Sequence, residues 1–320
     1  MRLANQILAE DLITFEQVFK TAVKSHVPLL DSIMRYIVRR KGKQLRPMFV
    51  LLCARLAGTV TAATYRAASL VELLHTATLV HDDVVDDAMQ RRGFFSINAL
   101  WKNKVAVLVG DYLLSKGLLL SLDNSDFRIL QLLSDAVRKM SEGELLQIEK
   151  ARKLNIKEDV YFDIITSKTA SLLASACAAG AYSATQNETL AQQLRQFGEK
   201  AGIAFQIKDD LFDYGNADIG KPTGNDIKEK KLTLPLIYTL NNVDAATRRK
   251  IIYIVKNKNK EKDQVQWVIQ EVAKAGGLQY AIHKMNMYRD DALNVLHTFP
   301  LSDVRNALEE LVRFTTDRKY

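Results

Sequence analysis

ELLHTATLVHDDVVDD, residues 72–87, is the stretch on which the fold turns. It holds neither Gly nor Pro and lies inside a segment from about Thr61 to Gln90 whose apolar residues recur at helical spacing. On a helix, residues i and i+4 share a face, so Asp82 and Asp86 project two carboxylates to the same side. The pattern returns in FQIKDDLFDY, residues 205–214, at the end of a second helical segment from about Glu188 to Tyr214, where Asp209 and Asp213 do the same. Both ridges sit at helix C-terminal ends, where the macrodipole disfavours anions. Each also follows an apolar run, Ala77 to Val80 and Ile203 to Ile207, where unpaired carboxylates are costly. Two such ridges facing one another across a helical bundle would make a cavity of hard oxygen ligands, suited to Mg²⁺ ions that bridge to phosphate.

The rest of the chain supports helix. Only 5 Pro and 14 Gly interrupt 320 residues, and 48% of residues are hydrophobic, which favours long helices over a sheet. Breakers at Pro28, Gly42, Pro47, Gly58, Gly93, Gly215 to Gly224, Pro235, Gly276-Gly277 and Pro300 divide it into many helices. No Pro- or Gly-rich linker marks a boundary, so one all-α domain over 1–320 is expected. Cys53 and Cys177 lie in apolar helical segments without CxxC spacing and read as reduced core residues of a cytoplasmic protein. Glu10 and Asp11 interrupt any signal-like stretch, and no apolar run of about 20 residues is expected to span a bilayer. The longest candidate, Thr169 to Ala184, is short and mostly Ala and Ser.

A net charge of +8 suits nucleic acid, an anionic membrane or a polyanionic small substrate, and charge alone does not choose among them. The run from Lys256 to Lys262 has no interleaved aromatics for stacking on bases and reads as a solvated loop without a role. Other cations follow the ridges: Arg91 and Arg92 after the first, Lys221 and Lys230-Lys231 after the second. Lys43 and Arg46 form a third basic turn just before a helix. Arg offers phosphate a planar fork and Lys a compact charge. His75 and His81, six residues apart, complete no zinc set; His81 reads as a hydrogen-bonded core residue, and His75 stays open. Lys168-Thr169 opens the Ala-rich helix and, taken alone, is an ordinary surface lysine. Phe94, Phe95 and Trp101 read as core.

Taken together, GKQLRP (42–47), ELLHTATLVHDDVVDD (72–87), RRG (91–93), VLVGDYLL (107–114), GELLQ (143–147), KTASLL (168–173), FQIKDDLFDY (205–214), GKPTGND and KLTLP resemble the trans-polyprenyl diphosphate synthases, the long-chain type that includes heptaprenyl, octaprenyl and solanesyl enzymes. The resemblance covers most of the chain. It implies a single large helical bundle of the isoprenoid synthase type with a central cavity. It implies a Mg²⁺-dependent prenyltransferase, with three ions when substrate is bound, that joins isopentenyl diphosphate to farnesyl or geranylgeranyl diphosphate, and a homodimer. Asp82, Asp83, Asp86, Asp209, Asp210 and Asp213 would bind metal. Arg91, Lys168, Lys221 and Lys231 would hold the allylic diphosphate, and Lys43, Arg46, His75 and Arg92 the isopentenyl diphosphate. Lys168, Thr169 and Gln206 would form the catalytic set, and Ala77, Thr78 and Leu74 the floor that limits the growing chain. Three departures stand out: Lys230 and Lys102 occupy positions where relatives often carry Gly, and Phe94-Phe95 replaces a more polar pair.

The chemistry explains these needs. An allylic C–O bond ionises when charge on the departing diphosphate is neutralised, the double bond of isopentenyl diphosphate attacks the cation, and loss of a proton restores an allylic product. No nucleophilic Ser or Cys is required. Short-chain relatives place aromatics at the floor, whereas a chain running from Asp82 back toward Arg66 has about 24 Å at the helical rise. That accommodates roughly five isoprene units by ordinary covalent dimensions. A product longer than farnesyl is expected, for a quinone side chain, with transient membrane-surface contact at its release. A terpene cyclase is the nearest alternative, but it has no use for a second diphosphate pocket. A non-catalytic partner subunit would have lost aspartates. A nucleic-acid-binding helical protein is not expected, and absence of a shift of labelled DNA at low salt would remove it.

Overall fold

The computed structural model describes residues 1–39, 42–91, 93–153, 157–215 and 224–318. In chain order its elements are α1 (Arg2–Ile7), α2 (Ala9–Ala22), α3 (Pro28–Arg39), α4 (Leu45–Ala57), α5 (Ala62–Val85), β1 (Gln90–Arg91), β2 (Phe94–Phe95), α6 (Ile97–Leu122) and α7 (Phe127–Lys153). They continue with α8 (Glu158–Ile165), a π-helical turn (Thr166–Ala170), α9 (Ser171–Thr185), α10 (Glu188–Phe212), α11 (Asn225–Lys228) and α12 (Leu234–Asn242). The last four are α13 (Ala245–Asn257), α14 (Lys262–Lys274), α15 (Gly277–His297) and α16 (Asp303–Asp317). Among the described residues the only sheet is the antiparallel pair β1 and β2, so the fold is all-α as the sequence implies. The residues group into two compact units: Met1–Val137 with Ser175–Arg195 and Phe299–Glu310, and Arg138–Ala174 with Gln196–Thr298 and Leu311–Tyr320.

The first unit is organised on α5. Its start is fixed by Thr61, in an extended conformation, whose N–H donates to Thr64 Oγ1 at 3.1 Å. With no Gly or Pro inside, the helix runs 24 residues, about 36 Å, before Asp86 closes it and Asp87 turns the chain at φ 49°. Ala67, Leu70, Leu73, Leu74, Ala77 and Val80 are buried along one side. Helix α6 starts at Ser96, whose Oγ accepts from Ala99 N–H at 3.3 Å, and packs along α5 through a buried stripe of small and branched residues, Ala106, Val109, Gly110, Leu113, Gly117 and Ser121. Gly110 lies under the His81 ring, and a Cβ there would come within 2.1 Å of Nε2, so this crossing requires glycine. His81 in turn lies 3.3 Å from the Val107 carbonyl oxygen and 3.5 Å from Asp111 Oδ1, hydrogen-bonded as expected, but its side chain is 31% exposed and it is not a core residue.

Three expectations change. Phe94 and Phe95 are exposed on β2, because a two-residue ribbon after Gly93 has no second layer to cover it. Trp101 is half-buried, edge-on to Tyr36 at 5.2 Å. Third, among the described residues two helical stretches are long and apolar enough to cross a membrane by length and composition alone: Ile97–Leu122, whose apolar 18-residue window is 33% buried, and Glu158–Thr185, whose window is 72% buried. The sequence reading missed the first because Lys102, Lys104 and Asp111 interrupt its apolar run.

Both departures from glycine fall where the backbone wants glycine. Lys102 sits at φ 73°, ψ 160° and kinks α6; Lys230 sits at φ 59° in the turn after α11. A side chain is strained in either conformation, more so at Lys102, whose φ/ψ pair is nearly reserved for glycine.

The second unit has one apolar core, in which Tyr161 and Ile165 of α8 meet Ile203 and Ile207 of α10, Leu236 and Ile237 of α12, Ile251 and Val255 of α13, and Val268 and Val272 of α14. The helix of α8 bulges at Thr166–Ala170 before resuming as α9. Gly202 on α10 receives the bulge: a Cβ there would stand 2.7 Å from Ala170 Cα. That close approach carries the bulge's side chains to the end of α10.

Candidate active site

The last turns of α10 place Gln206, Asp209, Asp210 and Asp213 at the helix end, where the sequence put them. Together with Gln147 of α7, Lys168 and Thr169 of the π turn, and Asp226 and Lys231 beyond α10, the first three line a cavity of about 200 Å³. Thr169 Oγ donates to Gln206 Oε1 at 2.7 Å, Gln206 Nε2 donates to Asp210 Oδ1 at 2.9 Å, and Tyr161 O–H donates to Asp210 Oδ2 at 2.7 Å. A single chain of bonds thus fixes Thr169, Gln206 and one carboxylate. Burial pushes the Asp210 carboxyl up to about 6, against the pull of Tyr161 and Gln206.

The other two aspartates are held differently. Asp213 accepts the backbone N–H groups of Asn225 at 2.7 Å and Asp226 at 3.0 Å and so caps the short α11; burial still raises its carboxyl. Asp209 is bonded by the Arg318 guanidinium, which lies 4.5 Å from the Phe205 ring and 5.0 Å from the Phe212 ring. Lys168 pairs with Glu144 and reaches Gln147 Oε1 at 3.3 Å, while Lys231 pairs with Glu229. Partly buried Asp226 is pushed up to about 8, by burial and then by the charges of Asp210 and Asp213.

Three acids raised together are an anionic cluster short of positive charge. Their donors are all carboxylate oxygens, the set a hard divalent cation takes. Among the described residues no group of three or more His, Cys, Asp or Glu is placed to hold a metal ion by itself.

In the first unit, Glu72, His75, Leu79, Asp82 and Asp86 share a face of α5 that is half-buried to exposed, whereas Asp83 points elsewhere and is 4% exposed. The Asn98 side-chain amide donates to the Asp83 carbonyl at 3.1 Å, which ties this helix end to α6. Lys43 and Arg46 flank the N-terminus of α4, where unpaired N–H groups favour an anion, and α4 packs on α5. Ala77 and Leu74 are buried; Thr78 is half-buried, its hydroxyl bonded to the His75 carbonyl at 2.9 Å. Arg92 and Lys221 lie outside the described residues, as does the side chain of Arg91.

Five residues of the second unit were given no role by the sequence reading: Tyr161, Glu144, Gln147, Asp226 and Arg318. Glu144 and Gln147 stood in the quoted GELLQ, one helical turn apart, and Asp226 in GKPTGND; their spacing was a usable signal. Nothing local marks Tyr161 or Arg318, whose partners are 49 and 109 residues away.

Comparison with known proteins gives the same picture. Residues 27–272 match the family model described as polyprenyl synthetase. An all-trans-nonaprenyl-diphosphate synthase (geranyl-diphosphate specific) of Rhodobacter capsulatus is 36% identical, over 97% of this chain and 96% of its own length. A polyprenyl synthase of Caulobacter crescentus, crystallised with calcium and isoprenyl diphosphate, superposes with a TM-score of 0.93 at 32% identity, covering 100% of this chain and 98% of that one. A geranylgeranyl pyrophosphate synthase of Bacteroides thetaiotaomicron is 39% identical, with a TM-score of 0.85 over 99% and 98% of the two chains. With a match across most of its length and a bond-linked constellation of Thr169, Gln206 and Asp210 in place, the chain belongs to the polyprenyl synthetase family.

Proposed function

We propose that this protein is a long-chain trans-polyprenyl diphosphate synthase that condenses isopentenyl diphosphate with an allylic diphosphate, for a quinone side chain. The observation that carries the reading is the cavity wall on which Asp209 and Asp210 stand beside Lys168 and Lys231, acids for a cation and bases for the phosphate it bridges. Enzymes of the family depend on Mg²⁺. Bound there, Mg²⁺ would neutralise charge on the departing diphosphate. Asp82, Asp83, Asp86, Asp209, Asp210 and Asp213 are the residues proposed to hold it, as three ions, directly or through water.

This chain's own groups do the rest. Lys168 and Lys231 donate to diphosphate oxygens as negative charge grows there, with Lys168 held at the wall by Glu144 and Gln147. Thr169, whose O–H donates its hydrogen bond to Gln206 Oε1, turns oxygen lone pairs to the cavity, a dipole that favours the allylic cation. Arg91 and Lys221 join the allylic diphosphate set, and Lys43, Arg46, His75 and Arg92 receive isopentenyl diphosphate. Farnesyl or geranylgeranyl diphosphate serves as primer. Small Ala77, with Thr78 and Leu74, leaves the path along α5 free of aromatic rings and lets the product pass farnesyl length. One domain over 1–320, cytoplasmic and without nucleic acid, belongs to the same proposal. So does a homodimer: Val107, Leu108, Leu118, Leu119 and Leu122 stand exposed on α6, a partly apolar face interrupted by Lys104 and Asp111, which a second copy would cover.

The test is incubation with Mg²⁺, labelled isopentenyl diphosphate and each primer, resolving dephosphorylated products by length. Asp82→Ala and Asp209→Ala should each lower kcat by orders of magnitude with the helical signal intact. Near-normal turnover of either variant would remove the metal assignment.

A further inference from the structure

We propose that the outer face of α13 and the turn after it form a docking surface for an anionic lipid bilayer. Residues 248–262 hold seven basic side chains, Arg248, Arg249, Lys250, Lys256, Lys258, Lys260 and Lys262, against one acid, Glu261, in a chain whose whole net charge is +8. Glu261 pairs with Lys258; among the described residues no carboxylate bonds Arg248, Arg249, Lys256, Lys260 or Lys262, and all five are exposed. The apolar side of α13, Ile251, Ile254 and Val255, is spent in the core, which turns the charged side outward.

The sequence reading denied this run a role for lack of an aromatic, and the helix supplies one. Tyr253 is 53% exposed and shares a stripe with Arg249 and Lys256 at i, i+4 and i+7. An exposed tyrosine among lysines and arginines matches a headgroup layer, where the ring sits at the interface and the cations meet lipid phosphates. It does not match single-stranded nucleic acid, which needs a series of rings: the nearby Trp267 is half-buried and covered by the Lys250 ammonium at 3.9 Å. Since the buried side of α13 cannot insert, the attachment is peripheral and sensitive to salt. The proposal rests on the function above only for its purpose, to hold the enzyme where a water-insoluble polyprenyl chain leaves.

The experiment is flotation of the purified full chain with phosphatidylcholine vesicles, with and without about a third phosphatidylglycerol, at about 0.1 M and about 0.5 M salt. Binding should require the anionic lipid and collapse at the higher salt. Arg248→Gln with Arg249→Gln and Lys256→Gln should cut partitioning about a hundredfold, at about fivefold per basic residue near such a surface. Turnover on detergent-dispersed substrate should stay at the wild-type level. A control with the same charge loss elsewhere, Lys20→Gln with Lys24→Gln and Lys104→Gln, should bind as wild type does. Equal losses in the two triple variants would reduce the effect to net charge and overturn the surface. So would an active wild-type enzyme that ignores anionic vesicles, or a patch that shifts labelled DNA and leaves vesicles unbound. An inactive enzyme that still binds vesicles through α13 would instead count against the synthase reading and leave the docking surface standing.

Discussion

Asp226→Asn should stabilise the metal-free protein, increasingly so as pH rises. The Asp226 carboxyl titrates near 8 in the folded chain against 3.8 for a free aspartate, because of burial and then the neighbouring charges of Asp210 and Asp213. With the folded value the higher one, the folded state binds the extra proton between those limits. The group's contribution is therefore complete below about pH 4 and is lost as pH rises toward 8. The loss runs at about 1.4 kcal/mol per pH unit, and asparagine, which does not titrate, escapes it. For a chain of this size that amounts to about 2 °C in Tm per pH unit. Melting curves of wild type and variant at several pH values from about 5.5 to 8.5, with chelator, should thus diverge upward with pH and run parallel only above the Asp226 titration. Excess Mg²⁺ favours ionised carboxylates and should lift wild type most at the alkaline end. Parallel curves throughout, without metal, would refute the picture of three crowded acids.

Ala77→Phe should leave the first condensations intact and shift products toward geranylgeranyl or farnesyl length, read by chromatography of the dephosphorylated chains; full-length products from an active variant would show that the chain does not pass residue 77. Its overpacking of a fully buried site should cost about 1–3 kcal/mol in denaturant unfolding. Lys102→Gly should raise stability by about 1 kcal/mol, strain relieved less the entropy of glycine, whereas Lys230→Gly, relieving a milder left-handed conformation, should be near neutral in the same assay. Arg318→Ala frees Asp209 of its counterion and should lower the Mg²⁺ concentration needed for half-maximal thermal stabilisation, with an unchanged requirement contradicting the competition.

How much of this could be read from the chain depends on whether the determining contact is local. The DDxxD ridges and the breakers act through neighbours within a turn or two, and their helices fell where the sequence put them. Even the two departures from glycine, at Lys102 and Lys230, pointed to real backbone turns. Phe94 and Phe95 failed because apolar character says nothing about whether a second layer arrives to cover it. Tyr161 and Arg318 were invisible because a partner on another helix leaves no periodicity. The charged stripe on α13 was half legible: the run of lysines was plain, but its aromatic lay just upstream and joined it only once the helix phase was known.

The bulge at Thr166–Ala170 has a bearing on how this chain can change over time. A π turn is one surplus residue accommodated inside a helix. Deleting any one of the five would close the turn to a regular helix and leave α9 close to its present phase, because the surplus residue is already absorbed there. What would move is the joint itself: the side chains of Thr166–Ala170 would be redistributed round the axis, and Thr169 would leave Gln206. The 28 residues from Glu158 to Thr185 can therefore lose one residue at this joint, and only there, without turning α9 against its neighbours. The helix would survive such a deletion and the bond chain from Thr169 to Asp210 would not.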